Sequence, residues 1–137
     1  MKVFYNALFF CVLFLSYNSI FSQDEIRFFK GSFDQMTSQA LSEDKPYIVF
    51  FTKEHCPPCD RMKEQTFSDP EVITLLTEKT LIFEAEMPDF DAMDLIEKFQ
   101  VVAYPTMLFF SPKGVKIGEM IGGQSTTSLV TFLEKLN

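Results

Sequence analysis

Two cysteines three positions apart, Cys56 and Cys59, are the residues of this chain best suited to chemistry. They follow an apolar run in the stretch FFTKEHCPPCDRM, residues 50–62. The third cysteine, Cys11, lies in an N-terminal apolar segment that we expect to be removed. A pair at this spacing fits three uses: a structural cross-link, part of a metal site, or a dithiol that exchanges electrons with other thiols.

The spacing of the cysteines and the available ligands favour one of these three uses over the others. A cross-link between residues three positions apart closes a very small loop and removes little entropy from the unfolded chain. A zinc site normally takes four ligands, and His55 is the single histidine of the chain. Cys56, Cys59 and His55 would serve a soft cation such as Cu(I). A Cu(I) carrier is therefore the alternative to a redox dithiol, and the redox use is favoured, with no metal bound.

The neighbouring segments place the two thiols at the start of a helix. Tyr47–Thr52 (YIVFFT) is a continuous apolar run, which predicts a strand buried on both faces. Pro57 and Pro58 fit the first turn of a helix that begins near Cys56. Free N–H groups at that position lower the pKa of a thiol. We therefore expect Cys56 to be the exposed nucleophile and Cys59, one turn on, the buried resolving thiol.

Alternating strand and helix patterns fill the rest of the chain. A capping box of Ser68 and Glu71, with Pro70 just inside, predicts a fresh helix start after a break near Phe67. The turn Ser111–Gly114 predicts an antiparallel hairpin. We expect strands at 25–30, 47–52, 80–86, 106–110 and 115–121, and further helices at 32–43, 56–67, 90–99 and 126–136. The order βαβαβαββα predicts an α/β three-layer sandwich, a central mixed sheet flanked by helices.

Residues 1–22 have the layout of a secretory signal peptide: Lys2, an apolar core at Ala7–Leu15, and a small residue, Ser22, before the expected cleavage. An uncleaved anchor is the alternative, but the core is much shorter than the roughly 20 residues that span a bilayer. Residues 23–137 then form one domain. The net charge of −7 and the absence of a basic stripe argue against a nucleic-acid partner. Export would place the cysteines in a periplasmic or extracellular compartment, where disulfides persist. We expect the protein to contact a membrane only during export.

A second motif, Tyr104-Pro105-Thr106, precedes the apolar strand TMLFF. Together CPPC, YPTMLFF and the IGG of residues 121–123 resemble the landmarks of the thioredoxin superfamily in order and spacing. The segment FFTKEHCPPCDRMKEQTFSDPEV further resembles the C-terminal thioredoxin-like domain of the disulfide reductase DsbD and small secreted thioredoxin-related proteins. The resemblance covers nearly all of residues 25–137.

This resemblance implies a protein-disulfide oxidoreductase, with the reductase direction favoured, although an oxidase or an isomerase would carry the same motif. The alternative function is a non-enzymatic Cu(I) carrier or a chaperone-like module on the same scaffold. Its redox group is the Cys56–Cys59 disulfide, so no dissociable cofactor is implied. In the family the proline corresponding to Pro105 is cis and packs against the dithiol, which leaves the backbone of the preceding residue, Tyr104, free to pair with an extended substrate. Further substrate contacts fall on Pro57, Pro58 and Gly122. The implied partners are protein thiols and disulfides and a membrane electron donor.

The chain also departs from the family pattern around the dithiol. His55 stands where tryptophan is common, and a protonated histidine there would lower the pKa of Cys56, although an exposed loop residue without that role is the alternative. Thioredoxins proper bury an aspartate six residues before the first cysteine, a position held here by Phe50. Glu84 and Glu86, on one face of the strand TLIFEAE, are the candidates to replace it. Both are otherwise surface charges of an edge strand.

Overall fold

The computed structural model describes residues 25–135, so the predicted signal peptide lies outside the described residues. The order of elements follows the strand and helix patterns of the sequence with few exceptions. In chain order they are α1 Phe33–Glu43, β1 Tyr47–Lys53, α2 Pro57–Arg61, a π-helical segment Met62–Thr66, α3 Pro70–Lys79, β2 Leu81–Met87, α4 Phe90–Phe99, β3 Thr106–Phe110, β4 Lys116–Ile121 and α5 Thr126–Lys135.

A mixed four-stranded sheet forms the middle layer, in the order β2-β1-β3-β4. β1 pairs in parallel with β2 and antiparallel with β3, and β3 pairs antiparallel with β4. Every residue of β1 except Lys53 is buried, as its unbroken apolar run predicts. The predicted class, an α/β sandwich around a mixed sheet with a terminal hairpin, is confirmed.

Helices cover both faces of this sheet and enclose two apolar clusters. Alternate β1 residues divide between them: Val49 and Phe51 pack toward α1 and α4, whereas Ile48 and Phe50 pack toward the π-helical segment, α3 and α5. Met62 belongs to the second cluster, so the π-helical segment that follows the cysteines packs against the sheet.

The strand predicted at residues 25–30 is wrong, because this stretch has no regular secondary structure. It runs beside the edge of β2 and forms one backbone hydrogen bond to it, from Phe29 N–H to Ile82 O at 2.7 Å. Apolar packing holds the stretch, since Phe28 contacts one core cluster and Phe29 the other. The strand-like apolar pattern of this stretch therefore reflects burial of its side chains on two sides. It does not indicate a strand that is hydrogen-bonded into the sheet.

The capping box predicted at Ser68 is also wrong. α3 begins one residue later, with Asp69 as its N-cap, and Asp69 Oδ1 accepts from the N–H groups of Glu71 at 2.9 Å and Val72 at 3.4 Å. The Ser68 hydroxyl instead donates to Lys63 O. The helix break near Phe67 is confirmed, and it includes the π-helical segment, which the sequence patterns did not indicate. No helix within residues 25–135 is long and apolar enough to cross a membrane.

Candidate active site

A disulfide joins Cys56 and Cys59 at the start of α2, with the Cα atoms 5.3 Å apart. Cys56 is the N-cap residue, and its carbonyl accepts from the N–H groups of Cys59 at 2.9 Å and Asp60 at 3.1 Å. Pro57 and Pro58 occupy the first turn, where a residue without an N–H leaves no helical hydrogen bond unmade. The loop after β1 and this proline-rich turn thus bring both sulfurs to the carboxyl end of β1.

The exposure predicted for Cys56 is wrong in this disulfide form. Cys56 is 3% exposed and Cys59 is 1% exposed, so both residues are buried. The disulfide form therefore shows no clear difference in access between the two cysteines.

The segment Tyr104-Pro105 adjoins the start of β3, and its peptide bond is cis. Pro105 is buried, and its carbonyl accepts from Gly122 N–H at 2.8 Å. Thr106, the first residue of β3, donates its hydroxyl to Ala103 O at 2.9 Å. No hydrogen bond within residues 25–135 involves the backbone groups of Tyr104. This leaves the N–H and C=O of Tyr104 without a hydrogen-bond partner among the described residues.

The loop that follows β4 packs against the turn between the cysteines. A Cβ on Gly123 would lie 3.6 Å from Pro58 Cβ, which shows how closely this loop approaches α2. The hydroxyl of buried Thr66 donates to Gln124 O at 2.6 Å and fastens the same loop to the π-helical segment. Gly122, predicted to contact substrate, lies in this loop, so the structure brings it and Pro58 to the same side of the disulfide region.

The side chain of Tyr104 bridges the ends of two strands. Its hydroxyl lies 3.8 Å from Met87 Sδ, and Lys53 Nζ lies 5.6 Å from the ring centroid, a cation–π contact. Burial raises the pKa of the Tyr104 phenol above its ordinary value. Met87 also begins the second cis peptide bond, Met87–Pro88, which the sequence did not indicate. The contacts with Met87 and Lys53 therefore hold the Tyr104 side chain beside the loop that leads to the cysteines.

Glu84, a predicted pKa-tuning residue, is held on the α2 side of the sheet. It forms an ion pair with Lys63 Nζ and accepts from the hydroxyl of buried Thr52 at 3.3 Å. Glu86, two residues further along β2, is half-buried and has no ion pair with another described residue. The structure thus separates the two candidates, because only Glu84 joins a network with the helical segment of the cysteines.

Three residues of this region were missed from the sequence: Lys63, Thr66 and Gln124. Lys63 stands four residues after Cys59, one helical turn along, and that spacing was the available indication. His55 is exposed, and its φ of 54° places it in the left-handed region just before Cys56. In the part of the chain that the structure describes, His, Cys, Asp and Glu side chains form no group of three able to hold a metal.

Comparison with known proteins identifies the family. The model of the thioredoxin-like domain matches residues 33–137. The thiol:disulfide interchange protein DsbD of Salmonella typhi is 35% identical over 81 residues, which cover 56% of this chain but 14% of DsbD. The chain therefore corresponds to a small part of the length of that relative.

Solved structures show the same fold. A putative disulphide-isomerase from Bacteroides thetaiotaomicron aligns with a TM-score of 0.70 and 27% identity over 84% of this chain and 93% of that one. The oxidised DsbD C-terminal domain of Neisseria meningitidis aligns with a TM-score of 0.64 and 19% identity over 76% and 92%. A disulfide-bonded C-x-x-C pair at the start of a helix, in this fold, is consistent with a thiol–disulfide oxidoreductase. The chain belongs to the thioredoxin-like domain family.

Proposed function

We propose that the protein exchanges disulfides with other proteins outside the cytoplasm through the Cys56–Cys59 pair, and that it works chiefly as a reductase. The observation that carries this proposal is the disulfide itself, formed between two cysteines at a helix start in a thioredoxin-like domain. Similarity to a thiol:disulfide interchange protein supports the reaction class. The apolar segment before residue 23 supports export.

The proposed cycle begins with the dithiol form. The Cys56 thiolate attacks one sulfur of a partner disulfide, and the other partner sulfur leaves as a thiolate that takes up a proton. The Cys59 thiolate then attacks the Cys56 sulfur, which releases the second partner thiol and closes the Cys56–Cys59 bond. The partner gains two electrons and two protons, and the dithiol loses them. A membrane electron donor that supplies two electrons would regenerate the dithiol.

An extended partner chain would bind beside Tyr104. The backbone N–H and C=O of this residue make no hydrogen bond with another described residue, and they adjoin the buried Pro105. Main-chain pairing there gives affinity without reading a particular side chain, and that suits a protein with several partners. Pro57, which is exposed, and the half-buried Pro58 and Gly122 supply the adjoining surface.

The direction of exchange follows from the reduction potential. A value near about −270 mV supports reduction of partners, whereas a value near about −120 mV supports oxidation of them. Equilibration with glutathione buffers, followed by quantification of the two redox forms, measures this value. A potential near that of the oxidants would overturn the reductase assignment and leave the exchange reaction in place.

Trapping of mixed disulfides tests the exchange reaction itself. We expect Cys59→Ser, expressed with the native leader, to accumulate disulfide-linked adducts with extracytoplasmic proteins, because Cys56 can attack but nothing releases the adduct. The matched control is Cys56→Ser, which is expected to accumulate far fewer. Equal amounts of adduct from both variants would contradict the roles assigned to Cys56 and Cys59. An absence of adducts with Cys59→Ser, together with no reduction of insulin by the parent protein, would contradict the proposed function. Fractionation of the same cells tests the compartment.

A further inference from the structure

β2 forms one edge of the sheet, and part of its backbone has no hydrogen-bond partner. At the start of β2, Leu81 N–H donates to Pro46 O, just before β1, at 3.1 Å. At its end, Met87 O accepts from Glu54 N–H, just after β1, at 3.2 Å. The odd-numbered residues of β2 thus face β1, and the even-numbered residues turn their N–H and C=O groups outward. In the part of the chain that the structure describes, no hydrogen bond involves the N–H or C=O of Glu84, so the edge is open there.

The stretch of residues 25–30 covers this edge at a single point. Phe29 N–H donates to Ile82 O at 2.7 Å, and the chain then leads into α1. At the other end of the edge, Glu86 O accepts from Asp89 N–H at 2.9 Å. The open part therefore extends from Ile82 to Glu86, a distance of about 13 Å, which matches about four residues of an extended chain.

A groove with a volume of about 500 Å³ adjoins the open edge. It is lined by residues 83–86 of β2, by residues 29–31 and by residues 89–92 at the start of α4. Phe83 in this groove is buried, whereas Phe90 is 80% exposed. The groove therefore offers an extended chain both unpaired backbone groups and an apolar contact, the two requirements for adding a strand to a sheet.

The groove is also acidic. The charged side chains that line it are four carboxylates and one ammonium group: Glu84, Glu86, Asp89, Asp91 and Lys30. Glu84 is paired with Lys63, but the other three carboxylates form no ion pair with another described residue. A second copy of this chain would bring the same carboxylates to the edge, where like charges repel. A positively charged chain is the occupant that complements the groove.

We propose that the groove at the edge of β2 binds an extended, positively charged segment of a partner protein, which adds a strand to the sheet beside Glu84. The backbone of that segment pairs with the N–H and C=O of Glu84, and its apolar side chains contact Phe90. Its lysine or arginine side chains lie near Glu86 and Asp91. This surface is separate from the backbone of Tyr104, and binding there needs no exchange of disulfides, so the inference goes beyond the proposed function.

Peptides without cysteine test this binding on the oxidised protein, so the result does not depend on the proposed exchange reaction. The probe is a short fluorescent peptide of alternating lysine and valine, and its binding is followed by fluorescence anisotropy. We expect an affinity that falls as the salt concentration rises. We also expect the peptide to slow hydrogen exchange of the Glu84 amide, measured by NMR, because this N–H gains an acceptor.

Two matched peptides separate charge from strand pairing. One has glutamate in place of lysine, and the other is methylated at every backbone nitrogen, which removes its N–H donors. Each is expected to bind about tenfold more weakly or worse, since one loses the ionic attraction and the other loses the backbone hydrogen bonds. Equal binding of all three peptides, or binding without protection of the Glu84 amide, would overturn the inference.

Substitutions in the protein test the same groove. The double variant Glu86→Gln/Asp91→Asn should weaken binding of the lysine peptide by about threefold or more, whereas Glu78→Gln, at an exposed position of α3, should leave it unchanged. Circular dichroism verifies folding, and the matched peptides decide on the parent protein alone if the double variant unfolds. No binding of the lysine peptide would identify a solvated edge only. Sedimentation that shows a dimer, dissociated by Glu86→Lys, would assign the edge to a second copy, and either result overturns the proposal.

Discussion

At the residue scale, two adjacent glycines beside the disulfide carry different constraints. Gly122 has a φ of 85°, and its N–H donates to Pro105 O at 2.8 Å, so the left-handed conformation is tied to the loop of the cis proline. A Cβ on Gly122 would meet no atom within 4 Å, whereas one on Gly123 would lie 3.6 Å from Pro58 Cβ, an ordinary contact. Conformation therefore constrains Gly122, and neither steric clash nor a positive φ constrains Gly123.

Gly122→Ala is expected to lower the free energy of unfolding by about 1–2 kcal/mol, because L-residues are strained in the left-handed region. Gly123→Ala is the matched control, and it should leave that free energy unchanged or raise it by up to about 1 kcal/mol through loss of unfolded-state entropy. Urea unfolding of the oxidised proteins measures both. Equal losses in the two variants would show that steric contact, rather than the φ of Gly122, governs this loop.

Residues of the site could be predicted from the sequence where a local motif defines them. Cys56 and Cys59 are found by their spacing, and Pro105 by its place before an apolar strand. The partner of Glu84 could not be found in this way, because Lys63 belongs to another element and their contact depends on the register of β1 with β2. The burial of Cys56 was missed for a related reason, since exposure depends on packing around the helix start.

At the element scale, the start of α3 depends on a single side chain. Asp69 Oδ1 accepts two backbone N–H groups, whereas the preceding Ser68 bonds back to Lys63 O at 3.3 Å. The two residues are adjacent and both are common N-caps, so the capping-box pattern selected Ser68 although Asp69 is equally suited to the position. Helix boundaries shift by a residue wherever two capping residues compete in this way.

Asp69→Ala is expected to lower the free energy of unfolding by about 1 kcal/mol, because two N–H groups of the first turn lose their acceptor. Ser68→Ala should cost only a few tenths of a kcal/mol, since the hydroxyl bond that it removes is exposed and long. Chemical denaturation of the two variants under one buffer gives the comparison. A larger loss for Ser68→Ala would restore Ser68 as the cap.

Helices and strands could be predicted where an apolar or periodic pattern runs through the whole length of the element. β1, β3 and α4 are continuous apolar or periodic stretches, and their observed bounds lie within one residue of those expected. The stretch 25–30 has a strand-like pattern but forms one backbone hydrogen bond to β2, so its apolar side chains pack without a ladder. The π-helical segment is defined by a hydrogen bond from Phe67 N–H to Met62 O, and side-chain periodicity does not report such a change.

At the scale of the whole molecule, the phenylalanine-rich core is divided by the sheet into two clusters, each closed by helices. Tyr47, at the start of β1, belongs to the cluster on the α1 side and stacks on Phe110 with the ring centroids 4.9 Å apart. It lies at the opposite end of β1 from the loop of the cysteines. Its ionisation therefore reports on the fold and not on the redox site.

Tyr47 should make the whole domain sensitive to alkali. Burial raises the pKa of its phenol above the ordinary value, so the folded protein holds this proton more tightly than the unfolded chain. The stabilisation is fully present below a pH of about 10 and is lost as the pH rises through the pKa of the folded state.

Tyr47→Phe keeps the ring stacking but cannot ionise, and it should lose less stability between pH 9 and about 11.5. Urea unfolding across this range measures the difference, with Tyr104→Phe, at a less buried phenol, as the comparator with a smaller effect. Parallel losses for Tyr47→Phe and the parent would show that other groups cause the alkaline unfolding.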